Sequence, residues 1–148
     1  MKISIASDHA GFEQKQELAS YLTECGYEVI DRGPENDDRV DYPDFARLVG
    51  SDIAAGVAER GVLVCGTGIG MAIAACKIPG VRAANITTPD FAELARQHND
   101  ANVVTLSGRF VDLDTNKKIL DVFLTTEFAG GRHEGRVAKV NALDTVGR

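Results

Sequence analysis

The stretch from residue 62 to residue 71 reads Val62-Leu63-Val64-Cys65-Gly66-Thr67-Gly68-Ile69-Gly70-Met71 and predicts a complete strand-to-helix junction. Its apolar, β-branched start predicts a buried strand ending at Cys65, its glycines predict a tight turn, and residues 71–77 are good helix formers. Such a junction leaves backbone N–H groups unpaired beside the positive end of a helix dipole. An anion is stabilised there, and a thiol at that place ionises more readily. The stretch therefore predicts a base or nucleophile beside an anion cradle, as in an enzyme that builds up negative charge.

Outward from this stretch, strands and helices alternate along the chain. Apolar runs predict strands at 2–6, 27–30, 62–65, 81–86 and 103–106. Helical patterns cover 13–24, a segment opening at Tyr42-Pro43, residues 71–77, a segment from Thr87 or Thr88 to about 96, and one capped by Asp112 or Asp114. Residues 31–41 form a polar loop, and residues 130–148 predict a short helix that must dock on something. This alternation predicts an α/β fold with a five-stranded parallel sheet covered on both faces.

Composition limits the class of protein. The chain has 148 residues, of which 44% are hydrophobic and 26% charged, which fits one compact domain. A net charge of −6 argues against nucleic acid or an anionic membrane as partner. The three cysteines, at unrelated spacings, favour free thiols in a reducing cytosol over a disulfide framework. The N-terminal apolar run is broken at Asp8, so it is too short for a signal peptide or membrane span.

Ligands of open parallel sheets bind outside the carboxyl ends of the strands. That rule places Asp8-His9, the turn from Cys65 to Gly70, and the segments after the fourth and fifth strands on one rim. Each candidate also has a plain structural interpretation. Cys65 could be a small buried hydrophobe, and the glycine turn could be a ligand-free connection, since it matches neither the P-loop nor the dinucleotide spacing. No pair among the three histidines has the short spacing usual for metal ligands, so we expect no metal site.

Two further candidates lie towards the end of the chain. His98, near the end of a predicted helix, could be a catalytic group or a C-terminal helix cap. Arg132 and Arg136 lie one helical turn apart on the same face, which suits a phosphate but also describes an ordinary solvated patch.

Five motifs, taken together and in order, identify a known family. They are Ser7-Asp8-His9-Ala10-Gly11-Phe12, Asp41-Tyr42-Pro43-Asp44, Cys65-Gly-Thr-Gly-Ile-Gly70, Arg96-Gln-His-Asn99 and Arg132-His133-x-x-Arg136-Val137. The chain resembles, over nearly its whole length, the ribose-5-phosphate isomerase B family, which includes allose- and galactose-6-phosphate isomerases. The resemblance implies a Rossmann-like three-layer α/β/α sandwich and no metal or organic cofactor. It also implies a cytoplasmic homodimer, with tetramers as a further pairing of dimers, that serves the pentose phosphate pathway.

The resemblance also implies residue roles. Cys65 falls on the family's base position and would move a proton between C1 and C2 of the open-chain sugar through a cis-enediol, with Thr67 beside it. His98 would open the furanose ring. The remaining substrate contacts implied are Asp8, His9, Tyr42, Gly66, Gly68, Ile69, Gly70, Asn99, Arg109, Arg132 and Arg136. Active sites in the family are shared between subunits, so within the single domain 1–148 the tail from about 130 would dock on a partner.

Departures and alternatives remain open at this point. Some members of the family carry Ser-Gly in place of Cys65-Gly66-Thr67 and use a glutamate further along, so this chain fits the subgroup with a thiol base. The substrate could be ribose 5-phosphate or another sugar phosphate, such as allose 6-phosphate, galactose 6-phosphate or a tetrose phosphate. A non-catalytic sugar-phosphate sensor would require the base or ring-opening group to be missing. Thiol redox work lacks a Cys-x-x-Cys partner.

Overall fold

A computed structural model describes residues 1–147 of the chain and contains one parallel sheet of five strands in the order β2-β1-β3-β5-β4. The strands are β1 (Lys2–Ser7), β2 (Glu28–Asp31), β3 (Arg60–Cys65), β4 (Ala83–Asn85) and β5 (Val103–Ser107). All four pairings are parallel. The predicted α/β fold class is therefore confirmed, although β4 is shorter than the predicted 81–86 because only three residues pair with β5 at the sheet edge.

Six α-helices connect and follow the strands: α1 (Phe12–Glu24), α2 (Tyr42–Ala54), α3 (Ile69–Ala75), α4 (Pro89–Asn99), α5 (Leu113–Thr125) and α6 (Arg132–Ala142), with a 3₁₀ turn at Leu143–Thr145. The α3 helix begins two residues before the predicted start at Met71, and α4 extends past residue 96 to Asn99. Of the two candidate caps for α5, Asp112 is the one observed, since its carboxylate accepts a hydrogen bond from the Thr115 amide. None of the helices within residues 1–147 combines the length and apolar character needed to cross a membrane.

The core is divided by the sheet into two clusters. Because side chains alternate along a strand, Val62 and Val64 of β3 join the cluster on the face of α1, α4 and α5, whereas Leu63 and Cys65 join the cluster on the face of α2 and α3. The three central strands, β1, β3 and β5, are buried on both faces, as their near-continuous apolar sequences predict. One consequence is that the Cys65 side chain is directed to the layer of α2 and α3.

The strand order reverses direction at β1, which pairs with β2 on one side and with β3 on the other. Consecutive connections leave this point on opposite faces of the sheet, so a crevice opens between the carboxyl ends of β1 and β3. Asp8 follows β1 and Gly66 follows β3, and both therefore lie at this crevice.

The tail after Gly130 packs against its own chain along one side. His133 and Val137 of α6 are buried, and α6 contacts α4. Asp144 then accepts a hydrogen bond from the Gly80 amide at 2.8 Å. Arg136 and Val140 flank this buried side and are exposed, as is the opposite side of α6. Docking of this free side on a partner subunit stays a prediction.

Candidate active site

Cys65 ends β3 at the centre of the sheet, 5% exposed, with its sulfur facing the glycine turn. The Gly68 amide donates a hydrogen bond to Cys65 Sγ at 3.1 Å. The α3 helix that follows has only seven residues, so its dipole is short. Negative charge on the sulfur is therefore stabilised mainly by this direct N–H donor. The amides of Gly66 and Thr67 find no acceptor within residues 1–147, which leaves two further donors beside the thiol.

The turn requires glycine at Gly68 for two reasons. Its φ of +85° is in the left-handed region, and a Cβ there would lie 2.5 Å from Asn85 Oδ1. A second glycine provides room for a neighbouring ring, because a Cβ at Gly70 would lie 2.8 Å from the ring of Tyr42. The turn is thus packed tightly against β4, β5 and the start of α2, which holds its amides in place.

Arg109, two residues after β5, lies against the same turn, with its guanidinium 3.4 Å from the position a Cβ would take at Gly66. The Thr67 hydroxyl accepts a hydrogen bond from the Ile69 amide at 3.1 Å and keeps its own proton free to donate. Three predicted site elements, from β3, α2 and the segment after β5, therefore meet at one place.

Asp8 and His9 complete this group from the end of β1. The Asp8 amide bonds to the Val64 carbonyl at 3.1 Å, and Asp8 Oδ1 accepts from the Gly11 amide at 3.0 Å, which leaves Oδ2 available. His9 Nδ1 accepts from the Val40 amide at 3.3 Å, so the neutral ring carries its proton on Nε2. We call the set Asp8, His9, Tyr42, the turn 65–70 and Arg109 the thiol half-site.

A second group of predicted residues lies elsewhere. His98, Asn99, His133, Arg136 and Arg82 line a cavity of about 300 Å³, together with Val137 and Val140. The rings of His98 and His133 are stacked, with centroids 4.3 Å apart and planes 17° apart. We call this set the imidazole half-site. Arg132, at the first turn of α6, is exposed and lies outside the lining of that cavity.

The imidazole half-site is held by a buried arginine. Arg96 is 2% exposed and donates to Asp100 Oδ1 at 2.8 Å, to the Ala101 carbonyl at 2.6 Å and to the Thr126 carbonyl at 3.1 Å. Asp100 ends α4 in the left-handed conformation, with φ of 47°. Arg82 binds the same residue, donating to the Asp100 carbonyl at 2.9 Å. These bonds fix the end of α4.

Positive charge dominates the imidazole half-site. Burial lowers the pKa of His133 below its usual value, and the nearby His98, Arg132 and Arg136 lower it further. A neutral His133 ring stacked on His98 leaves the arginines as the fixed charges of this surface. Such a surface attracts an anion such as a phosphate.

The two half-sites lie at opposite ends of the strands: we call the side of the sheet where the strands start the amino edge, and the side where they end the carboxyl edge. Helix α4 starts after the carboxyl end of β4 and must end before the amino end of β5, so His98 lies at the amino edge. Cys65 lies at the carboxyl edge, level with Ser107 at the end of β5. The five residues of β5 alone span about 16 Å at roughly 3.3 Å per residue. Within one chain, therefore, His98 does not reach the sulfur of Cys65.

Sequence reasoning assigned no role to Arg82 or His133, which line the cavity of the imidazole half-site. It also assigned none to Arg39 or Asp41, which line a second cavity beside His9 and Arg109. His133 and Asp41 belong to quoted motifs, so the motifs themselves were a signal. Arg82 and Arg39 had none, because one was read inside a strand and the other in a polar loop. No group of three or more metal-binding side chains occurs within residues 1–147.

Comparison with known proteins gives a consistent result. Residues 3–140 match the family model described as Ribose/Galactose Isomerase. Ribose-5-phosphate isomerase B of Escherichia coli is 43% identical over 143 residues, covering 97% of this chain and 96% of that protein.

Solved structures agree with the sequence relatives. Ribose-5-phosphate isomerase B of Clostridium thermocellum has a TM-score of 0.96 and 47% identity, covering 97% of both chains. The enzyme of Mycoplasma genitalium with bound ribulose-5-phosphate has a TM-score of 0.94 and 43% identity, covering 98% of this chain and 97% of that one.

Proposed function

Because the chain belongs to the ribose/galactose isomerase family, we propose that it interconverts ribose 5-phosphate and ribulose 5-phosphate. The observation that carries this proposal is the arrangement at Cys65. Its sulfur accepts a hydrogen bond from the Gly68 amide, and the unpaired amides of Gly66 and Thr67 follow it in the turn. The bound ribulose-5-phosphate in the relative from Mycoplasma genitalium supports the same substrate pair.

The chemistry is a proton transfer between neighbouring carbons. The Cys65 thiolate takes the proton from C2 of the open-chain aldose, and the C2–H electrons form a C1=C2 double bond while negative charge moves to O1. Protonation of O1, loss of the O2 proton and return of the Cys65 proton to C1 complete the ketose. The reaction needs no net gain or loss of atoms or electrons.

The glycine turn serves the negative charge formed at O1. The amides of Gly66 and Thr67 are fixed donors with no internal acceptor within residues 1–147. A well-placed donor of this kind contributes about 3 kcal/mol to stabilisation of a developing oxyanion. The Thr67 hydroxyl and Oδ2 of Asp8 are positioned to bond to sugar oxygens.

His98 serves ring opening, because a cyclic aldose has no free carbonyl that acidifies C2. Since His98 and Cys65 of one chain lie at opposite sheet edges, the complete site takes His98 and Asn99 from a partner subunit. A two-fold axis across the β4 edge, perpendicular to the strands, places the amino edge of one chain beside the carboxyl edge of the other. Both sites of such a dimer are then complete.

The exposed apolar side chains around β4 support this dimer. Ile69 and Ile73 of α3 are 53% and 61% exposed, and Phe91 and Leu94 of α4 are 60% and 41% exposed. Helix α3 packs on one face of the sheet and α4 on the other, so both faces carry exposed apolar side chains that an isologous contact would cover. Pairing of dimers into tetramers is the further extension of this proposal.

The phosphate end of the substrate is held by hydrogen-bond donors from both subunits. His9 Nε2 and Arg109 belong to the thiol half-site, and Arg132 and Arg136 of the partner's α6 approach from the other side. An Arg pair one helical turn apart gives charge-assisted hydrogen bonds to several phosphate oxygens. Free thiols at Cys25, Cys65 and Cys76 support a cytoplasmic, reducing location. The proposed ribose 5-phosphate substrate supports a role in the pentose phosphate pathway.

The test measures isomerisation of four-, five- and six-carbon aldose phosphates by the wild type and by Cys65→Ala, with Cys25→Ala as the matched control. We expect the highest kcat/KM on ribose 5-phosphate, a loss of about 10²- to 10⁴-fold in Cys65→Ala and no change in Cys25→Ala. A six-carbon preference would reassign the substrate. Full activity of Cys65→Ala would overturn the mechanism, and binding without turnover would favour a sensor.

A further inference from the structure

Arg39 lies in a second cavity, one that belongs to the thiol half-site and that includes a side chain with no assigned role. The cavity has a volume of about 540 Å³ and is lined by His9, Arg39, Val40, Asp41 and Arg109. Neither the Arg39 nor the Arg109 guanidinium has a hydrogen-bond or ion-pair partner within residues 1–147. Two unpaired guanidinium groups lining one cavity repel each other unless an anion lies between them.

The loop that carries Arg39 is anchored at both ends. At its start, Lys15, which is 1% exposed, donates from Nζ to the Pro34 carbonyl at 3.0 Å and to both carboxylate oxygens of Asp31 at 3.0 and 3.1 Å. At its end, the Val40 amide bonds to His9 Nδ1 at 3.3 Å. Arg39 immediately precedes that second anchor, so its backbone is held beside His9.

The charges of the cavity favour one orientation of a sugar phosphate. Arg39, Arg109 and the Nε2–H of His9 supply donors, and Asp41 supplies the one carboxylate in the lining. A phosphate dianion is stabilised at the cationic groups and repelled by Asp41, which instead accepts hydrogen bonds from sugar hydroxyls.

We propose that Arg39 is a phosphate-binding residue of the isomerase, in the same cavity as His9 and Arg109. This inference rests on the proposed function for the identity of the substrate. Since Arg39 lies at the phosphate end, away from the C1 and C2 atoms, its contribution is to binding rather than to proton transfer. It adds a phosphate donor from the loop after β2 to those from the segments after β1 and β5.

The experiment compares Arg39→Ala with Arg47→Ala, an exposed arginine of α2 outside the cavity, whose loss changes the net charge equally. For Arg39→Ala we expect KM for ribose 5-phosphate and the inhibition constant of inorganic phosphate each to rise about tenfold, as for loss of one hydrogen bond to a charged group. The kcat of Arg39→Ala should stay within about twofold, and Arg47→Ala should match the wild type. Arg39→Lys should recover part of the loss, because it keeps the charge without the fork.

Each outcome has a separate meaning. An unchanged KM and phosphate inhibition constant in Arg39→Ala, or an equal change in Arg47→Ala, would overturn the role of Arg39 while leaving the isomerase intact. A fall in kcat with KM unchanged would also overturn it. If the wild type does not isomerise ribose 5-phosphate, the proposed function fails, and calorimetric binding of inorganic phosphate by the wild type and Arg39→Ala still decides the inference.

Discussion

Mixed dimers of Cys65→Ala and His98→Asn chains provide the sharpest test of how the active site is built. In a single chain the two groups are separated by at least the length of β5, about 16 Å, whereas acid–base catalysis needs contacts of about 3 Å. A chain that carries an intact Cys65 can therefore use only the His98 of another chain. Each single variant alone should lose about 10²- to 10⁴-fold in kcat.

In a dimer with one chain of each kind, one site combines the intact Cys65 of one chain with the intact His98 of the other, and the second site lacks both. The mixed dimer should therefore recover about half of the wild-type kcat per dimer. The assay is isomerisation of ribose 5-phosphate by dimers that carry two different affinity tags, purified over both tags after co-refolding. A doubly tagged dimer of two Cys65→Ala chains is the control. Activity of the mixed dimer no higher than that of this control would refute the shared site.

Three further predictions concern single positions. Gly68→Ala puts an alanine in the left-handed conformation with its Cβ 2.5 Å from Asn85 Oδ1. We expect the free energy of unfolding in urea to fall by at least about 1–2 kcal/mol and kcat to be strongly reduced. A wild-type kcat would contradict the packing of the turn. Burial lowers the pKa of His133 below 6.5, and the charges of His98 and the α6 arginines lower it further. Below pH 6.5 the unfolded chain therefore binds a proton that the folded chain does not, so the free energy of unfolding should fall as the pH drops from 6.5 toward the lower folded pKa. Urea unfolding of His133→Asn between pH 5 and 7.5 should lose this slope, and an unchanged slope would assign it to another group. Asp100→Ala should be less stable than Asp100→Asn by about 1 kcal/mol, since asparagine tolerates φ of 47° better than alanine, and equal stabilities would contradict a strained cap.

Local patterns predicted most of the secondary structure for identifiable reasons. The strand before Cys65 and the turn after it could be predicted, because a buried strand and a tight turn depend on residues that are neighbours in the sequence. The start of α3 was misplaced by two residues because Ile69 and Gly70 read as part of the turn, although they already take helical conformation. The end of α4 was placed short of Asn99 because the Asp100 cap depends not only on Arg96 of the same helix but also on Arg82, which lies before β4.

The sequence by itself determined the alternating parallel fold, the thiol at the end of β3 and, through five motifs, the family. Each of these features depends on a short stretch of sequence, so periodicity and residue type are enough to predict it. Only the tertiary structure decided which of the candidate residues meet. The reversal of strand order at β1 gathers Asp8, His9 and Cys65 at one edge, and the direction of α4 carries His98 to the other. Such separations depend on strand order and helix direction across the whole sheet, and no local pattern encodes them.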